Sequence, residues 1–410
     1  MVGTKVGAQV GADRTAAAHM IKDITLRAVA MGLLAAFVGY AASFAIVLAG
    51  LDAMGASPAQ AATGLFFATL GMGVCGLWLS VTTRTPAAVA WSTPGAAFLA
   101  GSGALPGGFG EAVGAMLACA ALIVITGFLP FLGRAVAAIP KPVANGLLAG
   151  VLLKLCFAPA LALGEIPVLV LPVLLAWLAG LWWNRLAAMP FAVVAFALVL
   201  VFGVEMGSAS PQTSAALLPD LALVTPVFTW QALISVALPL YLVTIAGQNI
   251  PGFAVLDLNG YAVERQPMLR KTGLVSLAIA PFGAIPVNMS AITAAIRAGE
   301  DAGPDPARRY WAAMICGLAY IALACMAGLV AALASVAPAA LITAVAGLAL
   351  VPALVGSLSA AFSVPGQLEG PALTFLIAAS GMTLMGISGA FWGVIAGTVV
   401  WVVKARAAPR

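Results

Sequence analysis

The segment AVAWSTPGAAFLAG, from Ala88 to Gly101, interrupts one of the apolar runs that make up almost the whole chain. Two hydroxyl residues, a proline and a glycine stand together at its centre, in Ser92-Thr93-Pro94-Gly95. Serine or threonine can cap a helix, proline is tolerated in the first turn, and glycine lets a ligand approach the backbone. The pattern therefore predicts an extended piece followed by a half-length helix.

The composition of the chain indicates its class. Of 410 residues, 63% are hydrophobic and only 8% are charged, whereas about a quarter of the residues in soluble domains are charged. The chain is therefore predicted to be an all-α polytopic membrane protein that interacts with the lipid bilayer. The net charge of +5 does not indicate a nucleic-acid partner, because the basic residues are scattered and not interleaved with aromatic residues.

Fourteen apolar stretches are candidates for membrane spans, since a helix needs about 17–25 residues to cross a bilayer core. They lie at 28–50, 60–80, 85–102, 111–132, 142–160, 166–183, 188–204, 229–256, 270–283, 284–299, 309–332, 338–361, 370–386 and 388–403. With both termini in the cytoplasm, the lysines and arginines of the loops, Arg297 among them, fall on the cytoplasmic side, and the outer loops carry only acids. This distribution follows the positive-inside rule.

Fourteen spans divide into two inverted repeats of seven, because an odd number per repeat inserts the second upside down. The predicted units are a cytoplasmic N-terminal arm (1–27), a first repeat (28–204), a periplasmic linker (205–228), a second repeat (229–404) and a cytoplasmic tail (405–410). The third and tenth spans are both short and interrupted. Paired breaks at matching positions are typical of a transporter's substrate site, although each break alone is also compatible with a proline kink.

Several polar residues within the spans are candidates for the site. Asn288 and Ser290 are predicted to cap the helix of the second break, as Ser92 or Thr93 caps that of the first. Gln248 and Asn249 precede Pro251 in span 8. The two amides either line the site or join helices by hydrogen bonds. Lys154, the one basic residue inside a span, either attracts an anion or extends its amine to the membrane interface.

The sequence predicts no enzyme, metal site or cofactor. The five cysteines lie within apolar runs without CxxC spacing and are interpreted as small buried side chains, and the only histidine, His19, lies in the N-terminal arm. Nucleophile-elbow, P-loop and zinc-protease motifs are missing from the sequence. GMGVCG, from Gly71 to Gly76, lacks the strand and helix of a nucleotide site and is interpreted as a helix-packing face, as is GLLAG from Gly146.

Four segments, AWSTPGAAFLAG, AGQNIPGFAVL, PFGAIPVNMSAITAAI and SGAFWGVIAG, resemble the signature segments of the BenE-type benzoate/proton symporters of bacterial inner membranes. Such proteins are similar to the uracil/xanthine and sulfate-type anion transporters. The resemblance implies a core domain of spans 1–4 and 8–11 and a gate domain of spans 5–7 and 12–14, with elevator-type movement and a possible homodimer. It also implies that short strands of spans 3 and 10 meet at the substrate site.

Carried over by position, the resemblance places a substrate site between the two breaks and span 8. The predicted site residues, with Lys154 from the hypothesis above, are Trp91, Ser92, Thr93, Gly95, Lys154, Gln248, Asn249, Asn288, Ser290 and Thr293. Where the nucleobase carriers typically have acidic residues, this chain has amides and hydroxyls, which together with helix N-termini suit an anion.

The resulting hypothesis is a secondary active transporter that imports benzoate or a similar aromatic carboxylate with protons. Trp91 and Phe98 are candidate aromatic walls. The alternatives are a carrier of another small weak acid or of a neutral heterocycle such as a nucleobase, or an anion channel.

Overall fold

The computed structural model describes residues 24–184, 186–203, 218–385 and 387–407. Most of the predicted N-terminal arm with His19, most of the predicted linker (204–217), Arg185, Gly386 and residues 408–410 lie outside these ranges. Within them, each of the fourteen predicted spans coincides with a helix, or with a strand followed by a short helix.

The first seven spans run in chain order from Leu26 to Gly203. Their bounds are Leu26–Ala41 and Phe44–Ala53 (span 1), Pro58–Thr83 (span 2), strand β1 Val89–Trp91 and helix Thr93–Ser102 (span 3), Phe109–Phe128 (span 4), Lys141–Cys156 and Ala158–Glu165 (span 5), Pro167–Trp183 (span 6) and Ala188–Gly203 (span 7). A short helix, Pro130–Ala137, joins spans 4 and 5.

The second seven spans begin at Trp230. Their bounds are Trp230–Leu258 (span 8), Arg265–Ile279 (span 9), strand β2 Val287–Met289 and helix Ala291–Ala298 (span 10), Tyr310–Ala324 and Ala327–Val336 (span 11), Ala339–Ala361 (span 12), Glu369–Ser380 (span 13) and Gly389–Ala407 (span 14). Strands β3 (Thr383–Leu384) and β4 (Ile387–Ser388) form an antiparallel pair between spans 13 and 14.

Span lengths vary in a way that the hydropathy alone does not show. Among the described residues, seven helices are long and apolar enough to cross a membrane, or eight if the two pieces of span 11, bent by 57°, count as one. Spans 6 and 7 are apolar helices of 17 and 16 residues. Spans 3 and 10 are shorter because half of each is extended chain.

The packing of the spans has the symmetry of an inverted repeat. Span 2 packs against span 11 and span 4 against span 9, and these two pairs are equivalent when span n is matched to span n + 7. Span 1 contacts span 3 as span 8 contacts span 10. Span 5 packs against spans 12 and 13, while spans 6 and 7 and spans 13 and 14 form further pairs. The core and gate groups are therefore present.

Small residues bring these helices together. A Cβ atom on Gly73 would lie 2.7 Å from the carbonyl oxygen of Gly317, and one on Gly146 would lie 2.6 Å from that of Pro371. GMGVCG and GLLAG are thus helix-packing faces, as predicted. The five cysteines are free, but Cys325 is exposed and Cys156 is half-buried, so the expectation that all are buried is wrong at these two positions.

The extended pieces of spans 3 and 10 form one antiparallel pair. Strand β1 pairs with β2 in the register Val89↔Met289, Ala90↔Asn288 and Trp91↔Val287. The pairing continues beyond both strands, since the amide of Ser92 donates to the carbonyl of Pro286 and that of Ser290 donates to Ala88. Extended, paired backbone rules out a proline kink as the cause of either break, and we call this junction the crossing.

Candidate functional site

The helix of span 3, Thr93–Ser102, is capped and tied to span 8. The hydroxyl of Ser92 accepts a hydrogen bond from the amide of Gly95 at 3.1 Å and shares another with the hydroxyl of Thr244 at 2.7 Å. Pro94 stands in the first turn, as the sequence predicted. The hydroxyl group that caps this helix N-terminus is therefore already engaged by the protein.

The helix of span 10, Ala291–Ala298, lacks the side-chain cap that the sequence predicted. Ser290 occupies the N-cap position in extended conformation, but its hydroxyl makes no capping hydrogen bond. The first backbone amides of a helix have no partner within the helix. This N-terminus therefore has donors and a partial positive charge to offer an anion.

Asn288 holds the crossing together from the span 10 side. With its amide oriented to satisfy its neighbours, the side-chain oxygen accepts from the amide of Ser92 at 3.0 Å and the nitrogen donates to the carbonyl of Met289 at 2.8 Å. The side chain is fully buried. Its hydrogen-bonding groups are thus used by backbone on both sides of the crossing.

Span 8 changes from α-helix to π-helix at the predicted amide pair. The π-helical turn covers Ile245–Asn249, and such turns occur frequently at functional sites. Asn249 accepts from the amide of Met289 at 3.1 Å and donates to the carbonyl of Thr244 at 3.3 Å. Gln248 is half-buried, and its side-chain amide makes no hydrogen bond to the residues that the structure describes.

The crossing meets the gate domain at span 5. A Cβ atom on Gly247 would lie 3.4 Å from Leu148 of span 5 and 3.6 Å from Pro94. Thr93 and Gln248, next to these residues in sequence, are both partly exposed. Polar groups without protein partners therefore stand where core and gate touch.

Two predicted site residues face the interior of the core domain instead. Trp91 is 1% exposed, its indole nitrogen donates to the hydroxyl of Ser43 at 2.7 Å, and its ring lies 5.5 Å from that of Tyr40. The hydroxyl of Thr293 accepts from Arg297 at 2.9 Å. Neither side chain is brought together with Thr93 and Gln248.

Lys154 also lies apart from the crossing. Its amine packs against the backbone of Gly381, beside a small pocket of about 50 Å³ that Phe98 and Ser102 of the core line from the other side. Lys154 therefore stands between gate and core, at the C-terminal end of the span 3 helix.

Sequence reasoning missed three residues that shape this region. Ser43 and Thr244 bond to Trp91 and Ser92, and Thr244 opens the same TIAGQNIPGF segment as the amide pair. Arg297, expected in a cytoplasmic loop, is 1% exposed and donates to the carbonyl and hydroxyl of Thr293. Its place one helical repeat after Thr293 was the available signal, since residues four apart meet on one face.

Comparison with known proteins assigns the family. The family model described as "Benzoate membrane transport protein" (BenE) matches residues 22–403. The chain belongs to the benzoate membrane transport family. The resemblance carried by the four signature segments is thereby confirmed, and the protein is a membrane transporter.

Relatives within the benzoate membrane transport family span almost the whole chain. The "Inner membrane protein YdcO" of Escherichia coli is 36% identical over 92% of this chain and 96% of its own length. The "Benzoate membrane transport protein" of Acinetobacter baylyi is 30% identical over 93% of this chain and 95% of its own.

Two solved structures share the fold of this chain. The transmembrane domain of the cyanobacterial bicarbonate transporter BicA matches with a TM-score of 0.59 and 17% identity, over 92% of this chain and 98% of that one. The structure of SLC26A9 matches with a TM-score of 0.61 and 14% identity, over 92% of this chain and 65% of that one. At these identities the likeness shows the inverted-repeat fold alone.

Proposed function

We propose that this transporter imports benzoate or a similar aromatic carboxylate, together with protons, across the bacterial inner membrane. The observation that carries the proposal is the chemistry of the crossing. Spans 3 and 10 contain no Asp or Glu, and Asp257, in the last turn of span 8, is the only acid of that span. A site of amides, hydroxyls and an uncapped helix N-terminus favours an anion over a base that needs a carboxylate partner.

The residues divide into those that hold the crossing and those that meet the substrate. Ser92, Asn249 and Asn288 hold the crossing, because their polar groups already bond to the protein. The carboxylate binds the open amides of the span 10 helix, with Ser290, Thr93 and Gln248 as further donors. Each charge-assisted hydrogen bond contributes about 1.5–3 kcal/mol.

Transport follows from movement of the core domain against the gate domain, which contact each other at Pro94, Gly247 and Leu148. The weak-acid substrate brings its own proton, and the anion and the proton cross together, because the crossing offers no titratable carboxylate. In the membrane both termini face the cytoplasm, and the assembly is a homodimer.

Uptake by purified protein in proteoliposomes tests the proposal. An inward-directed pH gradient should drive saturable accumulation of radiolabelled benzoate, and unlabelled substituted benzoates should compete while uracil and bicarbonate should not. Competition by uracil or by bicarbonate would instead show that the substrate is not an aromatic carboxylate. Flux without saturation or accumulation would indicate a channel.

Cysteine labelling checks the orientation separately. A cysteine in place of Ala104, in the exposed loop after span 3, should react with an impermeant maleimide from the periplasm. One in place of Gln266, at the start of span 9, should react only from the cytoplasm. The reverse pattern contradicts the proposed topology, and a monomeric mass of the purified protein contradicts the dimer.

A further inference from the structure

A cavity of about 580 Å³ lies beside span 8, between span 4, the start of span 9 and the short helix Pro130–Ala137. Its lining includes Thr126, Asn249 and Gln266, but not Thr93, Pro94 or Gln248. The loops around it are those that the charge distribution places in the cytoplasm. The cavity is therefore separate from the surface at which the crossing meets the gate.

The walls of this cavity match a small aromatic anion. Most of the lining surface is apolar, and Ile245, Ile250, Phe253 and Leu269 are among the residues that form it. Small-molecule sites typically measure about 300–1,000 Å³ and combine such walls with a few polar groups. An aromatic ring can be buried against Phe253, and the carboxylate then needs a cation.

Two arginines line the cavity. Arg265 is already paired with Asp257 at 2.6 Å and lies 6.0 Å from the ring centroid of Phe253. Arg134 has no ion-pair partner among the residues that the structure describes. Arginine binds a carboxylate through two parallel hydrogen bonds, so Arg134 is the free partner for an anionic ligand.

One side chain connects the cavity to both half-helices. Asn249 lines the cavity, accepts from the amide of Met289 next to the span 10 helix and donates to the carbonyl of Thr244. Thr244 in turn shares a hydrogen bond with Ser92, the cap of the span 3 helix. A ligand that packs against the Ile245–Asn249 turn therefore stabilises this arrangement of the crossing.

We infer that the cavity is a second, cytoplasmic binding site for an aromatic carboxylate, through which the imported substrate slows its own uptake. The inference rests on the proposed function for the identity of the ligand. A ligand shifts a protein toward the state that binds it more tightly. Occupancy of the cavity thus holds the core in one arrangement and delays the next cycle.

Protection of a cysteine tests the site without requiring transport. In inside-out vesicles of a Cys325→Ser background, Gln266→Cys should react with N-ethylmaleimide, and saturating benzoate should slow the reaction about tenfold. Arg134→Gln should raise the half-protecting benzoate concentration about tenfold, the effect of one charge-assisted contact. Lys141→Gln, at the start of span 5 and outside the cavity lining, should leave protection unchanged.

Transport kinetics test the consequence. Benzoate on the cytoplasmic side should inhibit net uptake, and Arg134→Gln should raise the inhibitory concentration about tenfold while the external KM stays at the wild-type value. Equal shifts of the inhibitory concentration and of the external KM would mean that the cavity is part of the transport site. The inference is then wrong.

Failure of the inference and of the proposed function give different results. Benzoate uptake without cysteine protection overturns the second site alone. Protection of the cysteine by benzoate in a protein that does not take up benzoate overturns the transport proposal, but the second binding site then stands. Labelling that responds to the phosphatidylglycerol content of the vesicles but not to benzoate identifies a lipid site and overturns the inference.

Discussion

The helices that begin at the crossing share a backbone plan but differ in what surrounds them. In span 3 the N-terminus is closed, since Ser92 caps it and Thr244 holds the cap. In span 10 the N-terminus has no side-chain cap, and the last turn carries the buried cation Arg297. An inverted repeat thus reproduces the strand and helix twice while giving the two copies different electrostatic roles. Under the proposed function, the span 3 copy mainly supports the crossing, and the span 10 copy supplies most of the ligand contacts.

Glycines that support each copy offer the strongest way to break this comparison. A Cβ atom on Gly50 of span 1 would lie 2.6 Å from the carbonyl oxygen of Ala96, and one on Gly252 of span 8 would lie 3.0 Å from the amide of Ser290. Gly50→Ala and Gly252→Ala should each abolish uptake and lower the free energy of unfolding by about 1–3 kcal/mol, the usual cost of overpacking. Uptake assays and thermal unfolding in detergent measure the two effects.

Gly356→Ala is the matched control, because a Cβ atom there meets no other atom within 4 Å. It should leave uptake and stability unchanged. Full uptake by Gly50→Ala together with loss of uptake by Gly252→Ala would show that only the span 10 helix needs the close contact of its supporting glycine.

Alanine at the two N-cap serines separates support from ligand binding. Ser92→Ala removes a cap and should cost about 0.5–2 kcal/mol of stability. Ser290→Ala removes no cap, so stability should be unchanged while benzoate affinity falls about ten- to a hundredfold, as expected for a hydrogen bond to a charge. Calorimetric binding and thermal unfolding of both variants check this, and loss of stability in Ser290→Ala would remove the distinction.

The sequence predicted the backbone of this region better than its hydrogen bonds. Hydropathy, loop charge and the Ser-Thr-Pro-Gly signal are local, and they correctly placed both breaks and the start of the span 3 helix. Whether Ser290 caps its helix depends instead on its tertiary surroundings, and the direction of Trp91 depends on Ser43, 48 positions away in sequence. The cytoplasmic cavity combines four separate segments, so no single stretch of sequence could reveal it.

Arg297 tests whether the span 10 copy supplies charge as well as donors. It lies seven residues after Ser290, about 10 Å along the helix, where a unit charge attracts an anion by roughly 1.5 kcal/mol at an effective dielectric constant near 20. Arg297→Met should therefore weaken benzoate binding about tenfold, while Arg297→Lys should retain most of the affinity. Equal affinities of the methionine and lysine variants in folded protein would assign Arg297 a purely structural role.

Lys154 tests the opposite end of the span 3 copy. If this amine attracts the anion between core and gate, Lys154→Met should raise the KM for uptake several-fold, a change of about 1 kcal/mol. Lys154→Arg should transport normally because the positive charge remains. Normal transport by both variants at equal expression would show that the side chain only extends to the membrane interface.

The smallest effect is expected from acids, because neither span 3 nor span 10 contains one. Glu111, buried in the first turn of span 4, accepts a hydrogen bond from the amide of Gly107 at 3.0 Å. Asp257 is exposed and paired with Arg265. Neither carboxylate bonds to a crossing residue in the described part of the chain, which fits the proposal that the weak acid itself brings the proton. Glu111→Gln and Asp257→Asn should then leave pH-driven accumulation intact. A variant that keeps substrate binding and exchange but loses accumulation would instead place that carboxylate on the proton path.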